Sequence, residues 1–201
     1  MGDMPATKFD PILLLELVDK KLFFWLNHQR HPLLDQIMPY LSDERFIYAF
    51  FGVFAVIIIS SLKVRGAALI LGVWLLVMGS DLVCGKVLKP YFKRPRPYLV
   101  LSNFYLYKNH RWQLIKSPLK GESFSLPSCH ATNVACAATL FASLLPRFSL
   151  LFWAFALAVG YSRVYLGVHY PFDVLAGFLV GAFIGYLGRL VLARIKTESE
   201  P

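Results

Sequence analysis

The stretch Ser162-Arg163-Val164-Tyr165-Leu166-Gly167-Val168-His169-Tyr170-Pro171-Phe172-Asp173 decides how the chain is read. A serine, an arginine, a histidine and an aspartate sit at the junction of two strongly apolar runs, 148–165 and 174–192. Ionisable groups at the edge of a membrane span are expensive to keep there and point to function by default. Two more polar clusters, Lys89 to Pro97 and Ser125 to Asn133, also lie at the ends of apolar runs.

Working outward, the apolar runs set the fold class. The chain is 57% hydrophobic with a mean hydropathy of +0.54, too apolar for an ordinary soluble domain. Blocks of about 15–20 apolar residues suit membrane-spanning helices. Five spans are predicted, at 46–62, 66–88, 127–145, 148–165 and 174–192, with Asp81 interrupting the second near its far end. The expectation is an all-α integral membrane helical bundle forming a single domain over 1–201, with spanning helices in 46–192 and an active-site loop at 89–125. Residues 11–43 are apolar but carry Glu16, Asp19, Lys20 and Lys21, which predicts an amphipathic interfacial collar, or a sixth helix. Residues 1–10 read as a flexible polar start without a signal-peptide pattern, and 194–201 as a polar, frayed tail. Gly177, Gly181 and Gly185, four apart, predict a closely packed helix face.

Counting crossings from this assignment brings the polar clusters to one membrane surface. The second span ends at the lysine/arginine cluster, the third begins at the serine/histidine cluster, the fourth ends at Arg163 and the fifth begins at Asp173. Orientation does not follow from charge alone. Lys63, Arg65, Arg147, Arg189, Arg194 and Lys196 lie on the opposite face, as the positive-inside rule favours for a cytoplasmic side, but the 89–125 loop is more basic still. The net charge of +9 lies beside apolar segments and not on a soluble basic face, which argues against a nucleic-acid partner and for anionic lipid or substrate. Cys84, Cys129 and Cys136 show neither zinc spacing nor a disulfide framework, and Cys84 and Cys136 read as small helix-packing residues.

Each cluster has a chemical reading beside a plainer one. A carboxylate holding one imidazole nitrogen frees the other for attack, so His169 and Asp173 can form a nucleophile and its orienting group; alternatively Asp173 only caps a helix. Pro127-Ser128-Cys129-His130 opens a span, and helix starts bind anions; alternatively Ser125 caps a helix and His130 faces water. The basic run with its three prolines can hold phosphate, or can simply attract lipid headgroups. With Arg163 added, several cations converge. Each cation–phosphate pair at about 4 Å is worth roughly 4 kcal/mol before desolvation, and such preorganised charge is what phosphoryl transfer chiefly needs.

Taken together, Lys89, Arg96 and Pro97, then Pro127-Ser128-x-His130, then Ser162-Arg163 with His169 and Asp173, resemble the three-part signature of the type 2 phosphatidic acid phosphatase superfamily, in order and spacing. The resemblance spans Lys89 to Asp173. It implies a membrane lipid phosphatase in which His169 forms a phosphohistidine, Asp173 orients it, and His130 protonates the leaving oxygen and then activates water. It also implies that Lys89, Arg96, Ser128, Arg163 and the backbone N–H of Cys129 hold the phosphoryl oxygens. No metal or other cofactor is implied. The family commonly has glycine where this chain has Cys129, which bears on the pocket's width and so on substrate. Candidate substrates are undecaprenyl diphosphate, lipid A 1-phosphate, and phosphatidylglycerophosphate or phosphatidate. Bacterial members imply an inner-membrane protein with its site facing the periplasm or cell exterior. A lipid-to-lipid phosphotransferase, a non-catalytic headgroup binder or transporter, and a haloperoxidase are the competing readings; the last suits a mostly membrane chain least.

Overall fold

The computed structural model describes residues 11–197; the predicted polar start at 1–10 and the last four tail residues lie outside the described residues. Helices α1 (Pro11–Asn27) and α2 (Pro32–Leu41) form the N-terminal collar. Helix α3 (Glu44–Leu62) starts where the Asp43 carboxylate accepts the Arg45 N–H at 2.8 Å, the expected cap for an orphan donor. A single residue with left-handed φ, Lys63, reverses the chain into α4 (Val64–Leu82). A π-helical segment, Val83–Leu88, continues α4 into the short α5 (Lys89–Phe92). Helices α7 (Cys129–Leu144), α8 (Ser149–Tyr165) and α9 (Pro171–Thr197) follow.

Among the described residues, four helical runs are long and apolar enough to cross a bilayer, Glu44–Leu62, Val64–Phe92, Pro146–Tyr165 and Pro171–Ala193. The fifth predicted span, α7, is shorter at 16 residues and is the most enclosed, with α3, α4, α8 and α9 around it. A central helix sheathed by protein need not match lipid thickness, because its ends meet other protein groups. The all-α membrane bundle therefore stands. Gly177, Gly181 and Gly185 of α9 face α7: a Cβ at Gly181 would fall 2.0 Å from the Thr132 carbonyl oxygen, and one at Gly177 2.6 Å from that of Ser128. Glycine is what lets these two backbones touch.

Several expectations are corrected. The tail does not fray at 194, since α9 continues helically to Thr197. The 89–125 loop is structured. It holds α6 (Pro97–Val100) and an antiparallel hairpin of β1 (Phe104–Lys108) and β2 (Arg111–Ile115). Asn109 and His110 turn it with positive φ at both positions, the backbone that two-residue hairpins require.

The collar is also more than interfacial. Leu14, Leu15 and Trp25 of α1 point outward, but Asp19, Phe23 and Asn27 are fully buried against the bundle. Asn27 donates to the carbonyls of Tyr105 (2.8 Å) and Tyr165 (3.0 Å) and accepts the Tyr105 N–H (2.8 Å). It thus ties α1, the hairpin and the end of α8 together. Arg30, in the turn before α2, lies 3.5 Å over the Trp112 ring and pairs with Asp35 of α2 at 2.7 Å, closing the same corner.

Candidate active site

The helix ends do meet on one surface. The Ser128 N–H donates to the Asp173 carbonyl at 2.9 Å, joining the starts of α7 and α9. His130 Nε2 donates to the Ser42 carbonyl at 3.2 Å, and the Ser42 and Ser162 hydroxyls are 2.6 Å apart, which joins the start of α7 to the α2–α3 turn and the end of α8. Lys89 Nζ and Arg96 Nε both donate to the Phe124 carbonyl, at 2.9 and 3.3 Å. Two cations sharing one carbonyl are held a few ångströms apart, and Arg163 lies within electrostatic reach of Arg96. Lys89, Arg96 and Arg163 thus surround one small volume at the start of α7. The backbone N–H groups of Cys129, His130 and Ala131 have no acceptor within their own helix there.

Within this cup the histidine is fully enclosed. His169 Nδ1 stands 3.5 Å from Asp173 Oδ2, which leaves Nε2 on the far side of the ring. Burial first, then the charges of Arg96, Arg163 and Lys89, push His169 well below the ordinary imidazole value. It is therefore neutral at neutral pH, the form that carries a lone pair. Asp173 is the third residue of α9, and its Oδ2 accepts the Tyr170 N–H at 2.9 Å, so it caps the helix start while standing beside His169.

Sequence reasoning missed two residues. Arg94, outside the family signature, donates to Asp173 Oδ1 at 2.7 Å and to Asp19 Oδ2 at 2.6 Å. Asp19 also accepts the Phe172 N–H at 2.9 Å. Burial pushes the Asp19 carboxyl up in spite of these donors. For Arg94 burial opposes the charge, but Asp173 and Asp19 outweigh it and hold the guanidinium above its ordinary value. A carboxylate from the collar thereby fixes the arginine that fixes the residue behind His169.

The packing reading holds for Cys136 but is overturned for Cys84. Cys84 and Cys129 form a disulfide, with Cα atoms 5.6 Å apart, while Cys136 is free and buried. The pair is 45 residues apart in sequence and has no spacing signature, so only the meeting of the π-helical segment with α7 brings it together. The bond fastens the first residue of α7 to the segment leading into Lys89. Closing a loop of this size is worth about 3–4 kcal/mol in the chain-entropy view. Reduction by a phosphine, or a Cys84→Ala/Cys129→Ala double variant, is therefore expected to lower the thermal midpoint in detergent by several degrees. An unchanged midpoint would show that the bond carries no structural load.

Comparison with known proteins agrees with this geometry. Residues 67–196 match the family model described as the PAP2 superfamily. The chain is 42% identical to a lipid A 1-phosphatase of Rhizobium johnstonii over 39% of its length, spanning 33% of that protein. It is 29% identical to an undecaprenyl-diphosphatase of Sulfolobus acidocaldarius over 83% of this chain and 75% of that one. The crystal structure of a transmembrane PAP2-type phosphatidylglycerolphosphate phosphatase from Bacillus subtilis superposes with a TM-score of 0.67 at 27% identity, covering 92% of this chain and 89% of that chain. The family model covers well over half of the chain, and the chain belongs to the PAP2 superfamily as a membrane lipid phosphatase.

Proposed function

We propose that the chain hydrolyses a lipid phosphate through a phosphohistidine on His169. The observation that carries this reading is a pair of buried side-chain donors in the cup, Ser128 Oγ and Arg163 Nε, with no hydrogen-bond partner among the described residues. One stands at the start of α7 and the other in the last turn of α8. Buried polar groups left unpaired in a native fold call for a missing ligand, and two donors near a neutral imidazole suit a phosphoryl group.

In this scheme Lys89, Arg96, Arg163, Ser128 Oγ and the Cys129 N–H take the non-bridging oxygens. Nε2 of His169 attacks phosphorus as the bond to the lipid oxygen breaks, and His130 gives that oxygen its proton. Water then attacks the phosphohistidine, His130 takes the water's proton, and the P–N bond breaks to release inorganic phosphate and free His169. Asp173 steadies the positive charge that builds on the ring. Lys63, Arg65 and Arg147 at the opposite helix ends favour a cytoplasmic placement for that face. A disulfide beside the site suits an oxidising medium. Both support a site opening away from the cytoplasm, as in an inner-membrane protein facing the periplasm.

The test is phosphate release from purified lipid A 1-phosphate, phosphatidylglycerophosphate, phosphatidate and undecaprenyl diphosphate, with a His169→Gln blank. Release by the enzyme from at least one lipid, and none by the blank, is the expected result. Equal release by both removes the phosphohistidine route. Phosphorylated acceptor lipid without free phosphate would make the protein a phosphotransferase instead.

A further inference from the structure

A cavity of about 400 Å³ opens between α3, α4 and α7, and His130 is part of its wall. At the site end it is polar, with Glu44 at the first residue of α3, Asp81 in the last turn of α4, and Asn133 beside His130. Farther in, Phe51, Ala55, Ile70 and Phe141 make it apolar. From Glu44 to Ala55 the helix rises roughly 16 Å, about half the hydrocarbon thickness of a bilayer. The shape is that of a single hydrocarbon chain with a polar head at the catalytic end.

The mouth is unusual for a site that must attract an anion. Asp81 is held in place, since Asn133 Nδ2 donates to its Oδ1 at 2.8 Å and Ser80 Oγ donates to Asn133 Oδ1 at 2.9 Å. The Glu44 and Asp81 carboxylates both lie within electrostatic reach of the Tyr48 hydroxyl between them. Neither forms an ion pair with a lysine or arginine among the described residues. Glu44 also lies within electrostatic reach of Arg163, and Asp81 of Lys89, so the two carboxylates stand where the cavity meets the cup, beside the group attached to the phosphate.

We infer that this cavity holds the substrate's first hydrocarbon chain, and that Glu44 and Asp81 at its mouth select the leaving group. They accept hydrogen bonds from hydroxyl or amide donors of a sugar or glycerol and repel a second phosphate. The inference rests on the proposed role of His130 at the leaving oxygen. It orders the candidate substrates, with phosphomonoesters of donor-bearing lipids ahead of polyprenyl diphosphates.

The test uses two probes with the same chain, geranylgeranyl phosphate and geranylgeranyl diphosphate, and lipid A 1-phosphate as the donor-bearing lipid. In a Glu44→Gln/Asp81→Asn variant, the monophosphate-to-diphosphate ratio of kcat/KM is expected to fall about tenfold or more. The monophosphate value itself should change less than the diphosphate value, and lipid A 1-phosphate should lose severalfold. An unchanged or increased ratio overturns the selection. The chain's place is tested separately with Gly52→Leu, because a Cβ at Gly52 meets nothing within 4 Å and the larger side chain can grow into the cavity without displacing the fold. KM for geranylgeranyl phosphate is expected to rise about tenfold while hydrolysis of 4-nitrophenyl phosphate is unaltered. Equal effects on both, or on neither, place the chain elsewhere. If the wild-type protein releases phosphate from no probe, the phosphatase reading fails and this inference with it; release with an unmoved ratio defeats the inference alone.

Discussion

In a His169→Ala chain, kcat/KM for lipid phosphate is expected to fall roughly ten-thousand-fold or more, the scale seen when a nucleophile is removed from a site that keeps its other groups. That corresponds to about 5.5 kcal/mol of lost transition-state stabilisation. The cations and the start of α7 stay in place, so substrate binding should survive and the loss should fall on kcat. Wild-type protein quenched during turnover should carry acid-labile phosphate, and the variant none. Activity above a hundredth of wild type would assign the attack to another group.

The surroundings of His169 add a pH signature. Its folded value lies below the ordinary imidazole value near 6.5, so the wild-type acid limb of kcat/KM belongs below that pH. Arg96 is the largest of the charge effects holding it down. In Arg96→Gln the imidazole should take up a proton more readily, and the limb should move to higher pH even as overall activity drops. Stability follows the same sign. Below about pH 6.5 the unfolded chain binds a proton at this residue that the folded chain refuses, so the fold loses stability as pH falls. A limb that stays put in Arg96→Gln would show that Arg96 does not set the value and leave it to burial and the remaining cations, Arg163 and Lys89.

The second large effect is expected at Arg94. Replacing it by methionine leaves Asp19 and Asp173, both fully buried, without the cation they share. Removing one partner from a buried ionic network costs about 3–5 kcal/mol, so Arg94→Met should unfold well below the wild-type temperature or fail to accumulate. Lysine restores the charge but not the fork that meets two carboxylates at once, and Arg94→Lys should recover only part of the stability. Asp19→Asn is the gentler probe, since the amide oxygen can still accept the Phe172 N–H. If Arg94→Met melts with the wild type, the triad is not what holds the His169 side of the site together.

The residues differ in how openly they declare themselves. Lys89, Arg96, Ser128, His130, Arg163 and His169 stand out because charge and imidazole are rare at the ends of apolar runs. Span counting alone then puts them on one surface. Asp19 gave no such signal. An acidic residue on an amphipathic helix reads as a solvated face, and only Arg94, 75 residues away, shows that it turns inward. Cys84 and Cys129 were opaque for the same reason, since a disulfide is a fact of tertiary meeting and not of spacing. The hairpin was legible in retrospect: Phe-Tyr-Leu-Tyr-Lys and Arg-Trp-Gln-Leu-Ile flank the two-residue Asn109-His110 turn, but the surrounding prolines and basic residues read as loop. The apolar depth of the cavity left no trace, because its walls there are ordinary apolar residues on three helices.

The Asp19–Arg94–Asp173 arrangement also bears on how the molecule is born. Asp19 leaves the ribosome 75 residues ahead of Arg94, and Arg94 in turn precedes Asp173 by 79. During synthesis the first helix therefore carries a carboxylate with no counter-ion, best kept at the water's edge until later spans are inserted. Its seat is complete only when the start of α9 emerges, so this spanning helix closes the latch that the collar helix α1 began.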